Sequence, residues 1–150
     1  MKLFNLIALL LLLGSCALKK PEEKNNIQKV QFSAGACFGT CPIFDMVIQE
    51  NGNAEFDAKN FNDVEGKFKA VIQKPQLVSL FKLINEAKIT SLKDNYEAAI
   101  TCQSTYNLVV VFKDGKTKHI SDYGPSGPDE LGKIYGMLFS LRETQDWQKQ

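Results

Sequence analysis

The amino-acid sequence predicts an α+β fold in which an antiparallel sheet has helices packed on one face. Apolar and polar residues alternate with a period near two over residues 27–72, which is typical of antiparallel strands. Two later segments, residues 75–88 and 128–141, repeat apolar residues every three or four positions, which is typical of amphipathic helices. The predicted order is about four strands, a helix, a two-strand hairpin and a C-terminal helix, and this order favours the α+β class.

The first four strands are predicted at IQKVQFSA, IFDMVIQE, NAEFDAKNF and VEGKFKAVI. The dipeptide Asn51-Gly52 separates the second strand from the third, and these residue types readily adopt the positive φ angles of a two-residue type I′ turn. The second and third strands should therefore form a hairpin. The fourth strand is predicted to be half-buried, with a charged face and an apolar face that comprises Val64, Phe68, Ala70 and Ile72.

The helical period starts after the fourth strand. The first helix should begin at Pro75, whose missing N–H would be unpaired in a first turn anyway, and should end near Lys88. The segments STYNLVVVFK and KTKHISDY flank Asp114-Gly115, which predicts a second type I′ hairpin. The last helix should begin near Pro128, and its apolar stripe is Leu131, Ile134, Tyr135, Leu138 and Leu141. The segment TSLKDNYEAAITCQ, which precedes the second hairpin, has the least regular pattern.

Residues 1–15, MKLFNLIALLLLLGS, have the layout of a secretory signal peptide. Lys2 precedes a leucine-rich run, and the small residues Gly14 and Ser15 precede Cys16. The apolar run is shorter than the roughly 18 to 20 residues that a membrane-spanning helix needs. A permanent transmembrane anchor is therefore not expected.

The tetrapeptide LGSC, which ends at Cys16, resembles the bacterial lipobox. The resemblance implies cleavage before Cys16 and attachment of acyl chains such as palmitate to this residue; the alternative is an ordinary signal peptide that happens to precede a cysteine. Ala17 follows Cys16, whereas similar lipoproteins that stay at the inner membrane have aspartate there, so the outer membrane is the expected destination.

The mature chain should consist of a short tether and one domain. Residues 16–26 contain Cys16 and the charged segment ALKKPEEKNN, which has almost no apolar content and is predicted to be a flexible tether. Residues 27–150 then suffice for a single α+β domain. The formal net charge of the whole chain is only +1, and there is no basic block or aromatic-interleaved basic patch, so nucleic acid is not an expected partner.

The hexapeptide CFGTCP, Cys37 to Pro42, is the most distinctive motif. Cysteines four positions apart can be joined only if the chain turns between them, and Gly39 makes such a turn inexpensive while Pro42 starts an extended segment. In an oxidising envelope one pair of cysteines should close, and Cys37 with Cys41 is the first expectation. A bridge from Cys102 to either of them is an alternative.

A copper site is a different interpretation of the same motif. C-x-x-x-C-P resembles the motif of the thioredoxin-like assembly factors of cytochrome oxidase, which implies Cu(I) held by Cys37, Cys41 and a distant histidine. His119 is the only histidine of the chain. In the predicted hairpin it lies opposite Val110, on a face shared with Leu108 and Phe112, where a packed histidine is the ordinary explanation.

Three groups of residues together resemble the small exported bacterial domain known as domain of unknown function 6438. They are CFGTCPIF, the DG of the later hairpin, and SDYGPSGPDEL before the C-terminal helix, and the resemblance covers residues 30–147. Residue by residue it points to the motif positions Cys37, Gly39, Cys41, Pro42, Asp122, Tyr123 and Gly124. It implies no established activity. Cys102, in TCQSTY, departs from the threonine-rich pattern of similar sequences.

The predicted function is a lipid-anchored protein of the cell envelope that acts as a binding or structural module rather than as an enzyme. Its partners would be the membrane, through Cys16, and an unidentified protein or small molecule. No cofactor is expected under this interpretation. The alternative is a copper-binding or thiol-redox accessory protein that uses Cys37, Cys41 and His119.

Overall fold

A computed structural model describes residues 26–150 of the chain. The predicted signal peptide, Cys16 and most of the predicted tether lie outside the described residues. Among the described residues, no helix combines the length and the apolar content that a membrane crossing requires.

The described chain forms eight strands and two α-helices. In chain order they are β1 (Ile27–Ala34), β2 (Phe44–Gln49), β3 (Asn53–Ala58), β4 (Gly66–Val71), α1 (Lys74–Glu86), β5 (Asn95–Glu97), β6 (Thr105–Phe112), β7 (Thr117–Tyr123), α2 (Asp129–Thr144) and β8 (Gln148–Lys149). A single turn of 3-10 helix, Ile89–Ser91, follows α1.

All eight strands belong to one sheet, in the order β5-β7-β6-β1-β2-β3-β4-β8. Seven neighbouring pairs build this sheet, and the pair of β5 with β7 is parallel whereas the others are antiparallel. The chain therefore places β1 near the centre of the sheet, between β2 and β6.

The predicted fold class is wrong: the chain does not form an antiparallel sheet of about four strands and a separate hairpin with helices packed on one face. Residues 26–150 form a single mixed sheet of eight strands with two helices. The two strands that the sequence pattern missed, β5 and β8, have three and two residues. Segments this short contain no measurable alternation, so the pattern could not reveal the parallel pair or the full width of the sheet.

Both predicted hairpins exist, but neither has the predicted two-residue turn. Ile48 pairs with Ala54, and Val111 pairs with Thr117. In this register Gln49 lies opposite Asn53 and Phe112 lies opposite Lys116, so residues 50–52 and 113–115 form three-residue loops. Gly52 and Gly115 end these loops with φ angles of 89° and 84°. This geometry, in which a glycine of positive φ forms a bulge, shifts the register by one residue relative to a type I′ turn.

An aromatic cluster fills the core where α2 crosses the sheet. The ring of Phe32 in β1 lies 5.7 Å from that of Phe44 and 5.5 Å from that of Tyr106, measured between centroids. Tyr135 and Phe139 of α2 approach the same ring at 5.7 and 5.9 Å. Ring pairs at these distances add to the stabilisation that comes from burying their apolar area. The cluster therefore fixes α2 against the middle of the sheet.

Candidate functional site

The motif residues gather at one end of the sheet. Paired positions place the end of β1 beside the start of β2 and of β6, and the end of β7 beside the start of β6. The end of β3 and the start of β4 lie at this same end of the sheet. We call this the motif end; its loops are residues 35–43, 59–65, 98–104 and 124–128. All the predicted motif positions lie in these loops or, for Asp122 and Tyr123, at the end of β7.

A disulfide closes the first of these loops. Cys37 and Cys41 are linked, and their Cα atoms are 5.8 Å apart. This is an ordinary separation for a disulfide, because the chain turns at Gly39. Phe38, which lies inside the closed ring, is 88% exposed. The disulfide thus holds a large apolar side chain in solvent.

The third loop, residues 98–104, lies directly beside the disulfide loop. The backbone N–H of Phe38 donates a hydrogen bond to the carbonyl of Cys102, with 3.2 Å between nitrogen and oxygen. Cys102 itself is a free, exposed cysteine with a φ angle of 68°. The N–H of Gln103 donates to the hydroxyl oxygen of Tyr123 at 3.2 Å. This loop is therefore held by two neighbours, which are the disulfide loop and β7.

Asp122 is a fully buried carboxylate, and the fourth loop wraps around it. Its oxygens accept hydrogen bonds from the backbone N–H of Ser126 at 2.7 Å and from that of Gly127 at 3.2 Å. The hydroxyl of Tyr135, in α2, donates to it at 3.2 Å. A buried carboxylate is costly unless it is hydrogen-bonded in this way. Asp122 thus determines how the loop leads into α2.

Two glycines are required in the loop around Asp122. Gly124 has a φ angle of 65°, and a Cβ atom there would lie 2.9 Å from the Cβ of Ala98. A Cβ atom on Gly127 would lie 2.9 Å from the Oδ2 of Asp122 and 2.7 Å from the Cδ1 of Leu131. Such contacts are closer than packed atoms allow. Packing against the third loop therefore explains the glycine at motif position 124.

The ionisation of Tyr135 should make the protein sensitive to alkali. Burial, and next the negative charge of Asp122, raise the pKa of the Tyr135 hydroxyl well above its ordinary value. The unfolded chain loses this proton near pH ~10 while the folded chain keeps it, so stability is present below that pH and is lost as pH rises above it. We expect Tyr135→Phe to cost roughly 1 kcal/mol at pH 7, because Asp122 loses a donor.

The same variant should lose less further stability above pH 10 than the parent chain does. Urea unfolding followed by circular dichroism at several pH values between 7 and 11 would measure both effects. Equal alkaline slopes for the two proteins would contradict the assignment to Tyr135.

The exposed surface of the motif end has an unusual composition. Three of its loops, residues 35–43, 98–104 and 124–128, contain no Asp, Glu, Lys or Arg, although 23% of the chain is charged. Phe38 and Ile100 are exposed on two of these loops, and Phe61 and Val64 are exposed on the loop 59–65. Three of the four loops of the motif end are therefore uncharged and partly apolar, whereas the loop 59–65 also carries Lys59, Asp63 and Glu65.

The structure does not bring His119 to the disulfide. His119 pairs with Val109 rather than with Val110, so it is exposed on the face of the sheet opposite Leu108 and Phe112. The predicted position is wrong because the three-residue loop shifts the register by one, and such a shift moves a side chain to the other face. His119 instead borders a shallow hollow with Asp94, Asn95, Thr117, Lys118 and Ser121. Within residues 26–150, no group of three or more His, Cys, Asp or Glu side chains is arranged to hold a metal ion.

Sequence reasoning missed two contacts of this site. It treated Cys102 as a departure from the family pattern, yet its backbone bonds to the disulfide loop. It assigned Tyr135 only to the apolar stripe of the last helix, whereas the hydroxyl of this residue bonds to Asp122. A buried tyrosine needs a hydrogen-bond partner for its hydroxyl, and this requirement could have indicated from the sequence that Tyr135 has a polar contact.

The fold and this site define a small domain in which the described residues form a mixed sheet of eight strands with two helices, and the motif loops meet at one end of that sheet. The family described as "Domain of unknown function (DUF6438)" matches residues 28–142. The chain belongs to this family, so the resemblance that the motifs indicated is confirmed for the domain. A comparison with curated proteins found no match.

Proposed function

We propose that the protein is a lipid-anchored module of the cell envelope that binds a partner protein through the motif end. The single observation that carries this proposal is the uncharged, partly apolar surface formed by the loops around Phe38 and Ile100. Exposed apolar surfaces of this kind mark interaction sites when they are larger than scattered single residues. Aromatic side chains such as Phe38 are enriched at the centres of protein interfaces.

The polar motif residues form hydrogen bonds within the protein and so support this surface. The carboxylate of Asp122 is occupied by donors from its own loop and from α2. The hydroxyl of Tyr123 is occupied by the loop that contains Ile100. A site whose loops are held in place before binding loses less conformational entropy when a partner binds. We therefore assign the motif residues a role in positioning the apolar loops.

The direction of the chain is compatible with an anchor at Cys16. The described chain starts at the opposite end of the sheet from the motif end, where Ile27 pairs with Phe112. The eight residues of β1 span about 26 Å at ~3.3 Å per residue. A tether that joins there would leave the motif end free for a partner. We propose the outer membrane as the location, on the ground of Ala17 after the lipobox-like LGSC.

Site-specific photocross-linking in the full-length chain tests the binding surface. A photoreactive side chain in place of Phe38 should give a discrete cross-linked species in intact cells. The same group in place of Val78, which is 55% exposed on α1, is the matched control and should give none. Adding Ile100→Asp should reduce the cross-link from position 38 at least tenfold, because a desolvated charge opposes an apolar interface.

Two results would overturn the binding proposal: equal cross-linking from positions 38 and 78, or no loss with Ile100→Asp. The anchor is tested separately by membrane fractionation and mass spectrometry of Cys16→Ser. Unchanged membrane association of this variant, with no acyl mass on the parent chain, would contradict the anchor and leave the surface unaffected.

A further inference from the structure

The three cysteines of the described chain meet at the motif end. Cys37 and Cys41 lie on the loop after β1, and Cys102 lies on the loop before β6. The hydrogen bond from the Phe38 N–H to the Cys102 carbonyl is 3.2 Å long. With standard backbone dimensions it places the Cα atoms of Cys37 and Cys102 within about 8 Å of each other. Disulfides require roughly 4.4 to 6.8 Å between Cα atoms, so a shift of at most about 1.2 Å would bring this pair within that range.

One further hydrogen bond holds the loop after β1 next to the start of β6. The N–H of Gly35 donates to the carbonyl of Thr105 at 2.9 Å, beside the cysteines in sequence. Cys102 has a φ angle of 68°, in the left-handed region that is unfavourable for residues with a side chain. A change in the conformation of Cys102 would therefore relieve local strain. Its side chain is exposed, so its thiol is accessible to solvent.

We propose that Cys102 and the Cys37–Cys41 disulfide form a thiol–disulfide exchange set. The Cys102 thiol gives its proton to solvent, and the thiolate attacks the Sγ atom of Cys37. The bond between Cys37 and Cys41 breaks as the bond between Cys37 and Cys102 forms. Cys41 leaves as a thiolate and takes a proton from solvent. One disulfide and one thiol are present before and after the step, so it consumes no oxidant and no reductant.

The exchange would give the motif end two covalent forms. In one form the ring that contains Phe38 is closed; in the other this ring is open, and the end of β1 is tied to the start of β6. The second bridge closes a much longer stretch of chain, which constrains the unfolded state more and offsets distortion of the folded state. This inference goes beyond the proposed binding function and does not depend on it.

Disulfide mapping of the Cys41→Ser variant is the first test. The full-length chain, purified from detergent-solubilised cells, would be equilibrated in a glutathione redox buffer, quenched with acid and analysed by peptide mass spectrometry. We expect an intramolecular Cys37–Cys102 bridge in most molecules. The control adds Cys102→Ser and Thr117→Cys, which moves the thiol to the far end of β7, and it should contain no intramolecular bridge.

Slow alkylation of the parent chain without reductant is the second test and needs no variant. Alkylated Cys41, in molecules that carry the Cys37–Cys102 bridge, should accumulate with time and several-fold faster at pH 9 than at pH 7, because the thiolate is the attacking species. The proposal is overturned if Cys41→Ser keeps the circular dichroism spectrum of the parent chain and leaves Cys37 and Cys102 unbridged. It is equally overturned if only Cys102 of the parent chain is ever alkylated.

Discussion

Replacing Asp122 with alanine should lower the free energy of unfolding by about 3–5 kcal/mol, one of the two largest effects that we expect in this protein. The carboxylate is fully buried, and it accepts hydrogen bonds from Ser126, Gly127 and Tyr135. Alanine would remove this acceptor from the N–H groups of Ser126 and Gly127 and from the buried hydroxyl of Tyr135. Urea unfolding at pH 7, followed by far-ultraviolet circular dichroism, would measure the loss.

Two further variants separate the role of the buried acceptor from that of its charge. Asp122→Asn keeps the shape but turns one acceptor into a donor that faces backbone N–H groups, so we expect it to cost roughly half as much as alanine. Asp94→Ala is the matched control, because the Asp94 side chain is 72% exposed and forms a surface ion pair with Lys118. It should cost no more than about 1 kcal/mol. Similar losses for Asp122→Ala and Asp94→Ala would contradict the structural role that we assign to Asp122.

The sequence revealed the long strands and both helices because each contains enough residues to show a period. The β1 strand was predicted with the observed bounds, and α2 begins within one residue of the prediction. The β5 strand has three residues and pairs in parallel with a strand more than twenty residues later, so no local pattern could indicate it. The width and the mixed character of the sheet depend on such pairs, and this is why the predicted fold class failed.

The candidate site was predictable in its motifs but not in its contacts. The spacing of Cys37 and Cys41 indicated a closed loop, which the structure contains. The neighbourhood of Cys102 depends on the pairing of β1 with β6, which are separated by four other strands and α1 in the chain. The position of His119 depended on a single residue in the length of a turn. Long-range strand pairing and loop length therefore determine the contacts of Cys102 and the position of His119, which the motifs alone could not indicate.

The second large effect is expected from Phe32→Ala, which should lower the free energy of unfolding by about 3–5 kcal/mol. Phe32 is only 1% exposed, and its ring contacts four other rings, from β2, β6 and α2. Removing it would leave a cavity between the sheet and α2 that these rings cannot fill without leaving their preferred rotamers. The loss would be measured by urea unfolding, with fluorescence of Trp147 as a second probe of the same transition.

Phe38→Ala is the matched control for Phe32→Ala, because Phe38 lies on the next loop and is 88% exposed. We expect it to change the free energy of unfolding by less than about 0.5 kcal/mol, as surface substitutions usually do. Phe32→Leu should fall between the two, since it restores part of the lost volume. A loss for Phe38→Ala that approached the loss for Phe32→Ala would mean that Phe38 is packed in the folded protein, and Phe38 could then no longer be the centre of the proposed binding surface. A small loss, together with the large one at Phe32, would instead mean that Phe38 contributes little to folding and is free to contact a partner.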